Sequence, residues 1–507
     1  MSVNTWWQRA LLLSLSAASG TAPSRNPTAP PWNLTRLFGP SLSAHAGIYL
    51  GSDGNNTDHV TQRWTTHAAP SYIGTVQPAT VDDVKNVVRI AARHGIPFLT
   101  TGGGHGVSVQ MAQLHNGLQI DMRNFNSVRF DAYSHRLTVG GSARFSDLIE
   151  PLDKAGAQFP LGTAYCVGVV GATLGAGVSA NQGRSGLLID LVESLQLVTP
   201  AGDAITVSRS ENNELFWALR GAGANFGIVT SATFRAPKTE NGGRVTNANF
   251  LFAGRQRAAF LAYLQSMNDD LPAEMAFNIA TFYNPQTSQL SLLVNVNFAG
   301  PERDFERHFA RLQSLKPVRS ELLEVPWPRV FSTSYFGIED TKACGRNQLV
   351  NMRSVGAAAT NAKALTLFLD ELERFNAAMP EVVTAMVLHR FATDAVLRVP
   401  DGDSAYPHRS IKLHIQLESE YHDRKYDHQV DEFLNGARTK LAAASGYDSP
   451  VVYMNFAHGD EGPKAWYGSR KLGRLAALKN KWDPRGLFGF YNAIPADWPG
   501  LVAEGEL

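Results

Sequence analysis

The chain has 507 residues, 44% of them hydrophobic and 18% charged, with 46 Lys and Arg against 45 Asp and Glu for a formal net charge of +1. That length fills two or three cores, and the near-neutral balance leaves no electrostatic footprint for nucleic acid. No apolar run reaches the roughly 20 residues that cross a bilayer, and two cysteines, Cys166 and Cys344, allow one disulfide at most, which excludes a disulfide scaffold and a cysteine-based zinc site.

At the N-terminus, Arg9 precedes a short apolar stretch, residues 10–15, and small residues follow to Gly20. The pattern reads as a secretory signal within residues 1–25, with a disordered, Pro/Ser/Thr-rich N-terminus as the alternative. Glycosylation sequons at Asn33-Leu34-Thr35 and Asn55-Asn56-Thr57 agree with secretion; the alternative address is the cytoplasm.

From Thr80 the chain becomes regular. Thr80 and Asp83 form a capping box, and Val84, Val87, Val88, Ala91 and Ala92 repeat at helical spacing up to Gly95. Residues 96–100 read as a strand leading into a glycine loop, and residues 195–198 with 205–207 as a hairpin around Pro200-Ala201-Gly202-Asp203. Beyond Pro237 the texture changes. Leu290, Leu292, Val294, Val296 and Phe298 alternate as a half-buried strand. Phe305, Phe309 and Leu312, and then Leu365, Phe368, Leu369 and Leu372, fit amphipathic helices. This argues for an α+β chain, its second part an antiparallel sheet covered by helices on one face. The division expected is 26–237, 238–449, and a return at 450–507 with a helix through Leu472, Leu475 and Leu478 that Asp483-Pro484 ends.

Three glycine-rich segments carry the chemistry. Thr100-Thr101-Gly102-Gly103-Gly104-His105-Gly106-Val107 lets backbone N–H groups converge on a phosphate. It lacks the Lys-Ser/Thr of a P-loop and the glycine order of a dinucleotide fingerprint. Alone, a tight turn with a structural histidine explains it equally well. The second segment runs from Pro160 to Gly177, with glycines at 162, 168, 171, 175 and 177 and Cys166 inside the track. An inert core thiol is the usual reading of a single cysteine, but such thiols rarely sit in a glycine loop. The third, residues 213–229, is a helix running through Leu215-Phe216-Trp217-Ala218-Leu219-Arg220-Gly221 into Asn225-Phe226-Gly227-Ile228-Val229. Three such loops argue for one large extended cofactor.

Together and in this order, the segments resemble the berberine-bridge-enzyme-like branch of the vanillyl-alcohol-oxidase/p-cresol-methylhydroxylase (VAO/PCMH) flavoproteins, over about 77–237 and again 405–495. The resemblance implies a two-domain fold. An FAD domain is made from the N-terminal part plus the C-terminal return, under a substrate domain. It implies a bicovalent FAD, with His105 joined to the flavin 8α carbon and Cys166 to flavin C6. It implies cofactor contacts from Thr101, Gly102, Gly103, Gly104, Gly106, Val107, Gly162, Gly168, Gly171, Gly175, Gly177, Gly227, Ile228 and Val229, and an amide from Asn492 near the ring. Val169 stands where the branch gates oxygen, and its small size implies an oxidase. Cys344 reads as structural.

Two departures matter. Thr100-Thr101 stands where relatives carry Arg-Ser, so the pyrophosphate would depend on N–H and hydroxyl donors. Phe456, in Tyr453-Met454-Asn455-Phe456, stands where relatives carry a phenol base, and a phenyl ring transfers no proton. On the strand after Arg409, residues His414, Gln416 and Glu418 share one face by period 2. Glu418 or His414 is the expected base, with Gln416 beside them and Tyr453 and His458 as further candidates; a solvated polar face is the bland alternative. The implied function is an FAD-dependent oxidase that takes a hydride from a small hydrophobic or aromatic metabolite, with or without ring closure, and passes the electrons to O2 to give H2O2. Alternatives are a carbohydrate or alcohol oxidase, a dehydrogenase with another acceptor, and an FAD-binding non-redox cyclase. The expected partners are that substrate and O2, with no nucleic acid and no stable membrane insertion; the oligomeric state is open.

Overall fold

A computed structural model describes residues 32–51, 59–338 and 341–498. The signal-like segment and the sequon at Asn55 lie outside the described residues. Among the described residues no helix is long and apolar enough to cross a membrane.

Sixteen strands form three sheets among the described residues. The first takes β1 (Gly47–Leu50), β2 (Tyr72–Gln77), β3 (Phe98–Thr101) and β4 (Gly117–Asp121) in the order β1-β2-β4-β3. Its β2–β4 and β3–β4 pairs are parallel. The Val81–His94 helix connects β2 to β3, which such a crossover requires. Its ends are those the sequence predicts: Thr80 Oγ1 accepts from the Asp83 N–H, Asp83 returns a bond to Thr80, and Gly95 closes the helix at φ +63°.

The second sheet contains β5 (Val128–Asp131), β6 (Arg136–Gly140), β7 (Val192–Val198), β8 (Ala204–Ser208) and β9 (Ile228–Arg235), with β7 and β8 forming the predicted hairpin. Its core includes Leu137, Val139, Phe145 and Phe216. The same core holds Trp466, Tyr467, Leu472, Leu475 and Ile494 from the far end of the chain.

The third sheet is antiparallel throughout. It contains β10 (Arg244–Ala253), β11 (Met275–Asn284), β12 (Gln289–Phe298), β13 (Arg319–Pro326), β14 (Val350–Ala357), β15 (Val383–Phe391) and β16 (Leu413–Glu420), in the order β13-β10-β12-β11-β15-β16-β14. The pleat sorts its side chains. Phe250, Phe277, Val294, Leu388 and Leu417 join Phe260, Phe368, Leu372, Leu434 and Leu441 of the covering helices in one core. Asn249, Asn278, Asn295, His389 and Gln416 point the other way and are nonetheless buried. A buried amide row costs desolvation unless each group finds a partner, and here Asn295 bonds to Asn249, and His389 to Asn278 and Gln416.

Candidate functional site

A long cavity lies between the glycine loops and the polar face of the third sheet. Residues 98–107 line it, with Gly162, Gly168, Gly171, Gly175, Gly227, Ile228 and Val229, and opposite them Gln416, Glu418, Tyr453 and Phe456. The sequence-predicted glycines therefore converge. Two loops touch backbone to backbone: a Cβ on Gly103 would lie 2.6 Å from the Gly168 nitrogen. At Gly171, by contrast, a Cβ would meet nothing within 4 Å and would enter the cavity.

Four polar atoms of residues on this wall are buried without a partner, Arg63 Nε, Thr100 Oγ1, Thr101 Oγ1 and His105 Nε2. Such atoms are costly unless a ligand satisfies them. His105 stacks on Trp64 at 6.3 Å between ring centroids. Burial, with Arg346, Arg144 and Arg63 adding positive field, pushes its imidazole down to about 3, so the ring is neutral and nucleophilic at physiological pH. Arg63 Nη2 donates to the Gly106 carbonyl (2.5 Å) and Arg346 Nη1 to the Gly103 carbonyl (2.8 Å). Arg63, Trp64 and Arg346 lie outside every motif, and no local pattern marks them.

The far end of the cavity is held by the C-terminal return. Asn225 donates from Nδ2 to Tyr467 Oη (2.8 Å) and accepts from the Ile494 N–H at Oδ1 (3.0 Å). Buried Lys479 donates to the Asn225 carbonyl (2.8 Å), the Phe488 carbonyl (3.0 Å) and Asp483 Oδ2 (2.7 Å). With its charge and its donors both matched, the ammonium is tolerated inside the protein, and Phe488 is fixed on the cavity wall.

The structure corrects several expectations. Cys166 is bonded to Cys344, 178 residues away, and a sulfur shared with another cysteine has no thiolate to offer flavin C6. Cys344, which no motif marks, is structural as expected: its bond ties the 238–449 part of the chain to the second glycine loop. Asn492 is fully buried off the cavity. Its Oδ1 accepts from Ser108 Oγ (2.8 Å) and its Nδ2 donates to the Met454 carbonyl (3.3 Å), so its amide is committed to holding the return in place. Val169 and Gly177 also miss the wall. Val169 is buried at the start of the Val169–Leu174 helix, while its neighbours Val167 and Val170 line the cavity; Gly177 packs on Leu188.

Among the base candidates, His414 is buried off the cavity wall, edge-on to Tyr453 and Phe456, and burial lowers it to about 3. His458 is also off the wall, bonded through Nδ1 to Arg353 (2.9 Å). Tyr453 reaches the wall, but its Oη accepts from the Gly177 N–H (3.1 Å) and from Asn455 Nδ2 (2.6 Å). Burial outweighs those donors and raises the phenol to about 12, so it keeps its proton and anchors the loop. Glu418 and Gln416 reach the wall from β16, and Glu418 is the one carboxylate among the described lining residues.

An FAD binding domain model matches residues 73–208, and a berberine and berberine-like model matches residues 452–495. The chain is 41% identical to the FAD-linked oxidoreductase azaL of Aspergillus niger over 452 residues, covering 88% of this chain and 96% of that protein. It is 40% identical to the FAD-linked oxidoreductase tazG of Aspergillus terreus over 471 residues, covering 92% and 96%. The fold matches that of glucooligosaccharide oxidase from Acremonium strictum, whose FAD is described as 6-S-cysteinyl and 8α-N1-histidyl. That match has a TM-score of 0.77 at 21% identity and covers 91% of this chain and 99% of that one. With the glycine loops converged on one cavity and closed by the C-terminal return, this chain belongs to the berberine-bridge-enzyme-like FAD-linked oxidoreductases.

Proposed function

We propose that the chain is an oxidase that removes a hydride and a proton from a small aromatic metabolite, with Glu418 as the base. The observation carrying this is the position of Glu418 as the one carboxylate among the described lining residues, in a cavity where Phe456 stands in place of a phenol. FAD, when bound, supplies the two-electron acceptor and returns the electrons to O2, giving H2O2. The chain supplies the rest. Backbone N–H groups of residues 102–106 and Thr100 Oγ1 would hold the pyrophosphate, and the glycine at 171 would leave room for the ring. Glu418 takes the substrate proton as the hydride leaves, while Phe456, Phe490 and Tyr491 keep bulk water from the reacting carbon.

His105, neutral and with its Nε2 unpartnered, is the residue that would carry the flavin covalently. While Cys166 is bonded to Cys344, attachment would be through His105 alone. Flavin fluorescence that stays with the wild-type band on a denaturing gel, and leaves it in His105→Ala, is the expected result. Release from wild type would sink the attachment.

Substrate-dependent bleaching of the flavin band under anaerobic conditions tests the oxidase reading. Glu418→Gln should slow it by about 10²- to 10⁴-fold with the flavin retained. Turnover without bleaching would support the non-redox cyclase instead, and bleaching without peroxide on admission of air would support a dehydrogenase. The carbohydrate-oxidase alternative is favoured by the fold likeness to glucooligosaccharide oxidase.

A further inference from the structure

A second cavity of about 520 Å³ opens beside the first, and Gly162, Thr163 and Ala164 line both. Its size suits a small-molecule site. At the disulfide, Ala343 lines the first cavity and its neighbour Cys344 the second. Its walls are the rings of Tyr165, Trp327, Phe331 and Tyr335, and its floor is part of the amide row on the third sheet, Asn278, Asn295 and Asn297.

The floor has a direction that can be read from its far end. A backbone N–H can only donate and a backbone carbonyl can only accept. The Tyr335 N–H donates to Asn249 Oδ1 (2.7 Å), and Asn249 Nδ2 donates to the Thr333 carbonyl (2.8 Å), which fixes the Asn249 amide. Asn295 must then donate from Nδ2 to Asn249 Oδ1 (2.9 Å). Its Oδ1 is left to accept from Asn297 Nδ2 (2.7 Å). Each amide orients the next, and the row ends on Asn297 Oδ1, an acceptor that is buried and without a partner, on a residue only 9% exposed. Tyr335, which starts the relay, sits at φ +53° and is followed by Phe336 at φ +63°. Bulky side chains rarely adopt that left-handed region, and here it places both the donating N–H and one ring of the wall.

We infer that this second cavity binds a hydroxylated aromatic ring, the non-reacting end of the substrate, whose phenolic O–H donates to Asn297 Oδ1 while its faces pack among the four rings. The inference rests on the proposed function only for where the reaction takes place. A sugar fits less well. Ser334 Oγ donates to the Val330 carbonyl (2.7 Å), Ser332 Oγ to the Arg329 carbonyl (3.1 Å), and the Asn295 amide is committed at both ends. Thr163, Asn181 and Glu274 also line the cavity, and the Glu274 carboxylate is paired with Arg184; a polyol would still meet one open acceptor on the floor, and each unmatched hydroxyl weakens binding.

The test is equilibrium binding of 2-naphthol, naphthalene and cellobiose to the FAD-loaded protein, read by quenching of tryptophan emission. None of these probes needs to be oxidised, so the result stands whether or not the oxidase reading does. In wild type 2-naphthol should bind at least about tenfold more tightly than naphthalene and more tightly than cellobiose, with the flavin band unshifted. Asn297→Leu should reduce the naphthol-to-naphthalene ratio to near one. Phe331→Ala, at a half-buried ring with no polar role, should weaken both probes about fivefold at a constant ratio. The inference is overturned if cellobiose binds best, if Asn297→Leu preserves the ratio, or, should that variant not fold, if Phe331→Ala leaves both affinities unchanged.

Discussion

The two walls of the first cavity are built on opposite principles. The glycine side recognises with backbone: side chains are absent so that Gly103 can touch Gly168 and Gly171 can face open space. The sheet side recognises with side chains, the Gln416 amide and the Glu418 carboxylate, held on a pleated surface that is backed by the buried imidazoles of His389 and His414. The first needs close approach and tolerates almost any chemistry nearby; the second needs register and complete polar pairing. They should therefore fail in different ways.

The largest contrast is in acid. On the sheet face, burial lowers His389 to about 4 and His414 to about 3, against 6.5 for a free imidazole. Between pH 6.5 and 4 the unfolded chain binds these protons and the folded chain does not. Stability conferred by the neutral rings is therefore complete above about pH 6.5 and is lost as pH falls, by roughly 3 kcal/mol for each ring at pH 4. Urea midpoints at pH 7 and pH 4 measure this, and a His389→Gln/His414→Gln double variant should flatten the dependence. A wild-type midpoint that does not move over that range would contradict it.

The next effect is catalytic. The slowing expected for Glu418→Gln should appear with unchanged flavin content, because the sheet wall acts on substrate and the glycine wall on cofactor. If the variant instead loses flavin, the two walls do not divide the work in this way. Gly103→Ala attacks the opposite wall: its methyl would strike the Gly168 backbone, and melting should show a loss of about 1–3 kcal/mol together with poor FAD retention. Gly171→Ala is the gentlest case. The apo protein should melt as wild type does, while FAD affinity by titration falls about tenfold, since the added methyl occupies only cofactor space.

The legibility of the two walls follows the same division. Gly162, Gly168, Gly171 and Gly175 are legible in the sequence because a Cβ there would strike the Phe145 ring, the Gly103 backbone or the Asn455 amide, or at Gly171 enter the cavity, and the identity of each residue is written locally. The Val81–His94 helix and the β7–β8 hairpin were equally legible from caps and alternation. Gln416 and Glu418 were found by period 2, but the same period could not separate them from His414, since all three share a face and only Tyr453 and Phe456 packing over it decide which reach the cavity. The Asn249–Asn295–Asn297 relay crosses two strands and was invisible. Asn492 misled because its segment does reach the cavity, through Phe490 and Tyr491, while its own amide turns back to Ser108.

By itself the sequence determined the secondary structure of the long elements, the need for a cofactor-sized backbone cradle, and the absence of a phenol at Phe456, because each depends on the identity of a residue and its near neighbours. Only the tertiary structure decided that Cys166 is paired with Cys344 across 178 residues, that His105 lies beneath Trp64 and beside Arg346, and that an amide row ends in an open acceptor. Those depend on which distant groups share a few ångströms of low-dielectric space. That is set by strand register and by how the C-terminal return packs, and no short window of the chain contains it.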